Sequence, residues 1–196
     1  VLGAEQSGHM EAVGYELYCK MLNEAVMQLK GEKVDSHDFE TVLDLNIDAH
    51  IPGTYIKNEV QKLEIYKRIA CITNTEEYED MIEELTDRFG DLPRSAQNLL
   101  DIALLKAEAH EAQITQLSCK GDETKIFMYK QADVCVERIP ELIERYGRRL
   151  RFKVGDNPHF ILKMRKEDLQ NLLKCEKTVI KDIKGLIDPS KSTIIA

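Results

Sequence analysis

Gly3 and Gly8 bracket four residues in the opening stretch VLGAEQSGHM, the skeleton of a loop whose backbone N–H groups close on phosphate oxygens. Such a loop also needs a Lys after its second Gly and a Ser or Thr for Mg²⁺. His9 and Met10 follow Gly8 instead, and no apolar strand leads in, so a nucleotide site is not expected. Ser7 and His9 have the types of a nucleophile and its base, but no strand–turn–helix elbow or orienting carboxylate accompanies them. Asp44, Asn46 and Asp48 imitate the first half of a calcium loop. Ala49 stands where the sharp-turn Gly belongs and Tyr55 where the closing Glu belongs, so the trio reads as the wet face of a strand. His37, His50, His110 and His159 lack metal-ligand spacing.

Two charged stretches remain. In ERYGRRLRFKV, Arg145, Arg148 and Arg149 gather at a helix end while Arg151 and Lys153 share a strand face. A phosphate-binding patch is one reading. Cations at a helix C-terminus beside the solvated face of a strand are the other, and no aromatic interleaves to stack bases. In TEEYEDMIEELTDRFG the apolar stripe Tyr78, Met81, Ile82, Leu85 and Phe89 lies opposite Glu76, Asp80, Glu83, Glu84 and Asp87. Arg88 is the helix's one cation and follows Glu84 by four residues, the spacing of a surface pair. Such a face repels DNA and attracts an Arg-rich protein surface, or it simply keeps the helix soluble.

The elements that carry these groups follow from periodicity. Val13, Leu17, Met21, Leu22, Ala25 and Leu29 mark a helix, and Gly31 begins a polar linker. TVLDLNID alternates as a strand with Leu43, Leu45 and Ile47 inward, ended by Pro52-Gly53. Helices are expected from about Asn58 through Val60, Leu63, Tyr66, Ile69 and Ala70, from a Thr75 cap to Phe89, and from Pro93 to about Ala112. ITQLSCK and TKIFMYK read as strands around KGDE, followed by a helix through Val136 to Tyr146. A hairpin should pair Leu150, Phe152 and Val154 with Phe160, Leu162 and Met164, and one helix should run from Leu169 to Ile183. The fold class is α+β, a helical first half followed by a small, mainly antiparallel sheet packed with helices.

Of the residues, 43% are hydrophobic and 32% charged, and the net charge is −8, which argues against a surface that grips nucleic acid everywhere. No apolar run is long enough for a membrane span. Cys19, Cys71, Cys119, Cys135 and Cys175 are scattered and odd in number, which fits a reducing cytoplasm and mostly buried thiols rather than a disulfide framework.

The stretches LGAEQSGHMEAVGYELYCKMLNEAV, YIKNEVQKLEIYKRIA and LTDRFGDLPRSAQNLLDIALLKAEA closely resemble the C-terminal end of the bacterial transcription-repair coupling factors. The likeness is specific to about residue 117 and looser beyond. It implies a parent protein that is an ATP-dependent superfamily 2 translocase on double-stranded DNA, which dislodges stalled RNA polymerase and recruits the repair protein UvrA. LGAEQSG would be the end of a RecG-like translocation motif, with Gly3, Glu5, Gln6, Ser7 and Gly8 matching. Gln6, whose amide both donates and accepts hydrogen bonds, is its expected relay. Residues 1–37 would then be the tail of the motor and 38–196 the C-terminal regulatory domain, itself neither catalytic nor cofactor-binding. ATP and Mg²⁺ would bind in motor domains outside this sequence. That domain is expected to dock on the parent's own N-terminal UvrB-like domain and hide the UvrA-binding surface. The family's E-L-x-D-R-F-G matches at residues 84–90, which implies Glu84, Asp87 and Arg88 as docking residues. The rival expectation is a nucleic-acid accessory module built on Arg145, Arg148, Arg149 and Arg151.

Overall fold

The computed structural model describes residues 39–187. The translocation-motif residues Gly3 to Gly8, the helix expected up to Leu29 and the linker after it lie outside the described residues. Those described form two compact units, residues 47–104 and residues 39–46 with 105–187, and the division falls inside one helix after Leu104.

The first unit is helical. Pro52 begins a tight turn in which Tyr55 and Ile56 donate their N–H groups to the Pro52 carbonyl at 3.0 and 3.1 Å. Helix α1 (Glu59–Ala70) starts at Asn58, whose side-chain oxygen accepts from the N–H groups of Val60 and Gln61, two donors a helix start leaves unpaired. Helix α2 (Thr75–Phe89) is capped by Asn74 rather than the expected Thr75. Asn74 accepts from the Glu77 N–H at 2.9 Å, and the Glu77 carboxylate reaches back to Thr73 N at 2.8 Å. Asn74 stands three residues before Glu77, the spacing at which a cap oxygen meets a helix N–H, while Glu77 ties back the residue before the cap. Gly90 stops α2 with φ +86°, a conformation a side chain would strain. Helix α3 (Arg94–Glu111) follows Pro93. Ile51, Ile56, Ile65, Tyr66, Ile69, Met81, Leu85, Leu99 and Leu100 form the core. Val60, expected on the buried stripe of α1, is 66% exposed. Its first-turn position presents it to water, and the stem of Lys62 is buried instead, with Nζ held by Glu59 at 3.1 Å.

The second unit is a five-stranded sheet in the order β1-β2-β3-β5-β4: β1 (Val42–Asp44), β2 (Ile114–Lys120), β3 (Glu123–Met128), β4 (Leu150–Lys153) and β5 (His159–Lys163). Only β1 and β2 are parallel; the other three pairings are antiparallel. Gln113, at φ +57°, turns the chain out of α3 into β2. Register aligns Leu43, Leu117, Ile126, Phe160, Leu162 and Leu150 on one buried face. Helix α4 (Ile139–Tyr146) buries Ile139 and Leu142 and takes Pro140 in its first turn, where no donor is lost.

Three expectations need correction here. β1 stops at Asp44 although β2 runs on to Lys120, so Leu45 and Ile47 fall outside the strand while staying less exposed than Asn46 and Asp48. Val154 lies beyond the end of β4 and is 87% exposed, while Met164 is buried past β5. The last expected helix is two, α5 (Lys166–Gln170) and α6 (Leu172–Lys184), broken at Asn171, whose ψ of 46° leaves the helical region. The α+β class itself is the observed one.

Candidate docking face

On α2 the spacing of Glu76, Asp80, Glu83 and Asp87 (four, three and four residues) sets one carboxylate above another along a single line. All four are exposed, and among the described residues none makes a hydrogen bond or ion pair. The opposite side of the helix carries buried Met81 and Leu85, so burial of that stripe fixes which way the acids point. The Tyr78 hydroxyl anchors the buried side, donating to Asp101 at 2.6 Å and accepting from Gln97 at 2.9 Å. The Tyr55 hydroxyl sits between the carbonyls of Leu85 and Gly90, at 3.0 and 2.9 Å, and closes the helix C-terminus.

Glu84 is different. Its two oxygens receive a fork from Arg68 of α1, at 2.7 and 2.5 Å, and one of them also receives Arg88 at 2.6 Å. The Arg68 bonds, reinforced by Arg88, hold the carboxyl far below its usual range, at about 2. The expected Glu84–Arg88 pair is present, but Arg68 was not legible from spacing. It arrives from another helix, and no local period announces it. Asp87 and Arg88 are exposed, as a docking role demands.

The arginines of the rival module are mostly engaged. Arg145 pairs with Asp182 at 2.8 Å, and Arg149 with Asp168 at 2.9 Å. Arg151 lies 3.6 Å from Glu123, and Arg148 alone of the four has no ion pair among the described residues. Asp168 also accepts from the backbone and side chain of Arg165, and with burial opposing them these bonds set its carboxyl at about 2.

Asp44 accepts from Ser118 Oγ at 3.0 Å, while Asp48 pairs with His50 at 2.8 Å, so each has its own partner. No cluster of metal-ligating side chains occurs among the described residues. The described cysteines are less buried than expected: Cys71 is exposed and Cys119, Cys135 and Cys175 are intermediate, while Cys19 lies outside the described residues. Cys71 caps the end of α1 and Cys135 lies in a loop, while Cys119 and Cys175 sit within β2 and α6. Desolvation still pushes the Cys175 thiol up to about 12, which disfavours the thiolate. Among the described residues no helix is long and apolar enough to cross a membrane.

The described residues thus hold a helical unit whose α2 carries an exposed acidic line and a unit built on a five-stranded, mainly antiparallel sheet, an α+β arrangement. The TRCF domain family model matches residues 45–139, and the chain belongs to the transcription-repair coupling factor family. It is 31% identical to the transcription-repair-coupling factor of Bacillus subtilis over 99% of this chain and 16% of that protein. It is 34% identical to those of Staphylococcus haemolyticus and Rickettsia typhi, over 88% and 84% of this chain and 15% of each relative. The chain thus spans about a sixth of the curated relatives it matches. A crystal structure of the C-terminal domain of a transcription-repair coupling factor superposes with TM-score 0.57 at 25% identity, covering 75% of this chain and 95% of that one.

Proposed function

We propose that this chain is the non-catalytic, regulatory C-terminal domain of a transcription-coupled repair translocase, and that α2 docks it on the parent's own N-terminal UvrB-like domain. Docked, it masks the surface that recruits UvrA and restrains the ATP-driven motor. Residues 1–37 are the motor's tail in this reading, with Gln6 relaying hydrolysis to movement along double-stranded DNA. RNA polymerase and double-stranded DNA are the chain's partners through the parent protein.

One observation carries the reading: Glu76, Asp80, Glu83 and Asp87 form an exposed line with no internal counter-charge among the described residues. A fold gains nothing from four aligned carboxylates, which repel one another, whereas a positive partner converts that cost into attraction. The latch must be reversible, and a coupling of about 1–3 kcal/mol is enough to bias a two-state equilibrium. Charge reversal at Asp87 (Asp87→Lys) in the full-length parent should raise DNA-independent ATPase activity and UvrA retention. Unchanged values in both assays would reject the role of α2. The module built on Arg145, Arg148, Arg149 and Arg151 is weakened because carboxylates already engage three of its four arginines, Arg148 excepted among the described residues.

A further inference from the structure

The Glu84 carboxylate is the inner member of its cluster and the two guanidiniums are the outer ones: side-chain exposure is 30% for Glu84, against 49% for Arg68 and 40% for Arg88. Three charge-assisted bonds, two of them a parallel fork, already occupy both Glu84 oxygens. A partner's cation approaching Glu84 would meet two guanidiniums already bonded to it, whose positive charge opposes a third. Arg88, by contrast, spends one of its five donors on Glu84, lies over the Phe89 ring and leaves its other donors for a partner, on the row of α2 next to the acid line that ends in Asp87. The Arg68–Glu84–Arg88 cluster is formally +1, so the docking face is bipolar, an acid line bordered by a fixed cation.

We propose that Arg68 is a positioning residue of the docking face. Through Glu84 it fixes the Arg88 guanidinium, so that the partner meets Arg88 and Asp87 instead of the Glu84 carboxylate. The partner surface therefore offers an oxygen acceptor beside its cation, not a uniformly basic patch. Planar fork geometry explains the use of Arg at position 68, since a Lys cannot hold both oxygens at once. This rests on the docking reading above.

A double-substitution cycle in the full-length parent tests it, with DNA-independent ATPase rate and UvrA retention as readouts. Thermal melts of each variant ensure that rates are compared well below the lowest midpoint. Arg68→Met and Glu84→Gln should each release the motor by about 5-fold or more, the scale of an allosteric coupling. Arg68→Lys should behave like Arg68→Met. The Arg68→Met/Glu84→Gln double variant should release it no further than the larger single change, because the two act through one group. Multiplying effects in the double variant, or a silent Arg68→Met, overturns the positioning role. If Asp87→Asn is also silent, the docking reading falls as well; if Asp87→Asn releases the motor while Arg68→Met does not, only the positioning role falls.

Discussion

Thr124 and Glu176 meet where α6 crosses the sheet: the Thr124 hydroxyl donates to one Glu176 oxygen at 2.7 Å, and the other oxygen is buried with no hydrogen-bond partner. Glu176 is 0% exposed, so a charge there has neither water nor a counter-ion. Burial raises its carboxyl to about 7, against the Thr124 bond that lowers it, with nearby Asp168 raising it further.

The folded protein therefore holds a proton that the unfolded chain releases near 4.5. Stability from this group is complete below that value and is lost as pH climbs through about 7. Urea midpoints should fall across that window, and Glu176→Gln should flatten the slope. Above neutrality the variant should be the more stable by up to about 3 kcal/mol.

Asp168 works in the opposite sense. Arg165, through its side chain and its N–H, and Arg149 hold the carboxyl at about 2, so its contribution is present above 3.8 and disappears as pH falls toward 2. Asp168→Asn leaves two guanidiniums short of a partner and removes a cap of α5. A loss of about 2 kcal/mol at neutral pH is expected by chemical denaturation, vanishing in strong acid.

Asp80→Asn and Asp87→Asn touch no internal partner and should move the folding free energy by no more than about 0.5 kcal/mol. Glu84→Gln breaks a three-membered ion-pair network and should cost about 1 kcal/mol. Thermal melts of the isolated chain separate the two classes. A large loss from Asp87→Asn would mean that the exposed line serves the fold and not a partner.

Arg145→Ala and Arg149→Ala should lower stability by no more than about 1 kcal/mol each, since Asp182 keeps the Tyr146 hydroxyl and Asp168 keeps Arg165. Neither change, nor Arg148→Ala, should alter a gel shift with duplex DNA, because no salt-sensitive band is expected at about 0.15 M salt. A band that Arg148→Ala abolishes would restore the nucleic-acid reading.

Much of the fold was legible locally. The α2 stripe from Tyr78 to Phe89, its Gly90 stop, the β2–β3 hairpin and the Leu150/Phe152 to Leu162/Phe160 register all follow from a period or a turn residue. Where an element depended on its neighbours, local pattern misled. β1 ends at Asp44 although its partner β2 runs on to Lys120, Val154 outruns β4, and Asn171 divides one amphipathic run into two helices. The Glu84–Arg88 pair was readable because four residues bring two side chains together on any helix.

Periodicity and the motif ELTDRFG determined the α+β class, the direction of the acidic line on α2 and the likeness to a repair-coupling factor. Only the tertiary structure decided that Arg68 grips Glu84, that Asp182 and Asp168 claim the arginines, and that Glu176 lies dry against Thr124. The physical reason is range. A helix or strand repeats its geometry every few residues and so writes its faces into the sequence. An ion pair or a buried carboxyl is settled by packing between elements remote along the chain, and leaves no mark in either segment alone.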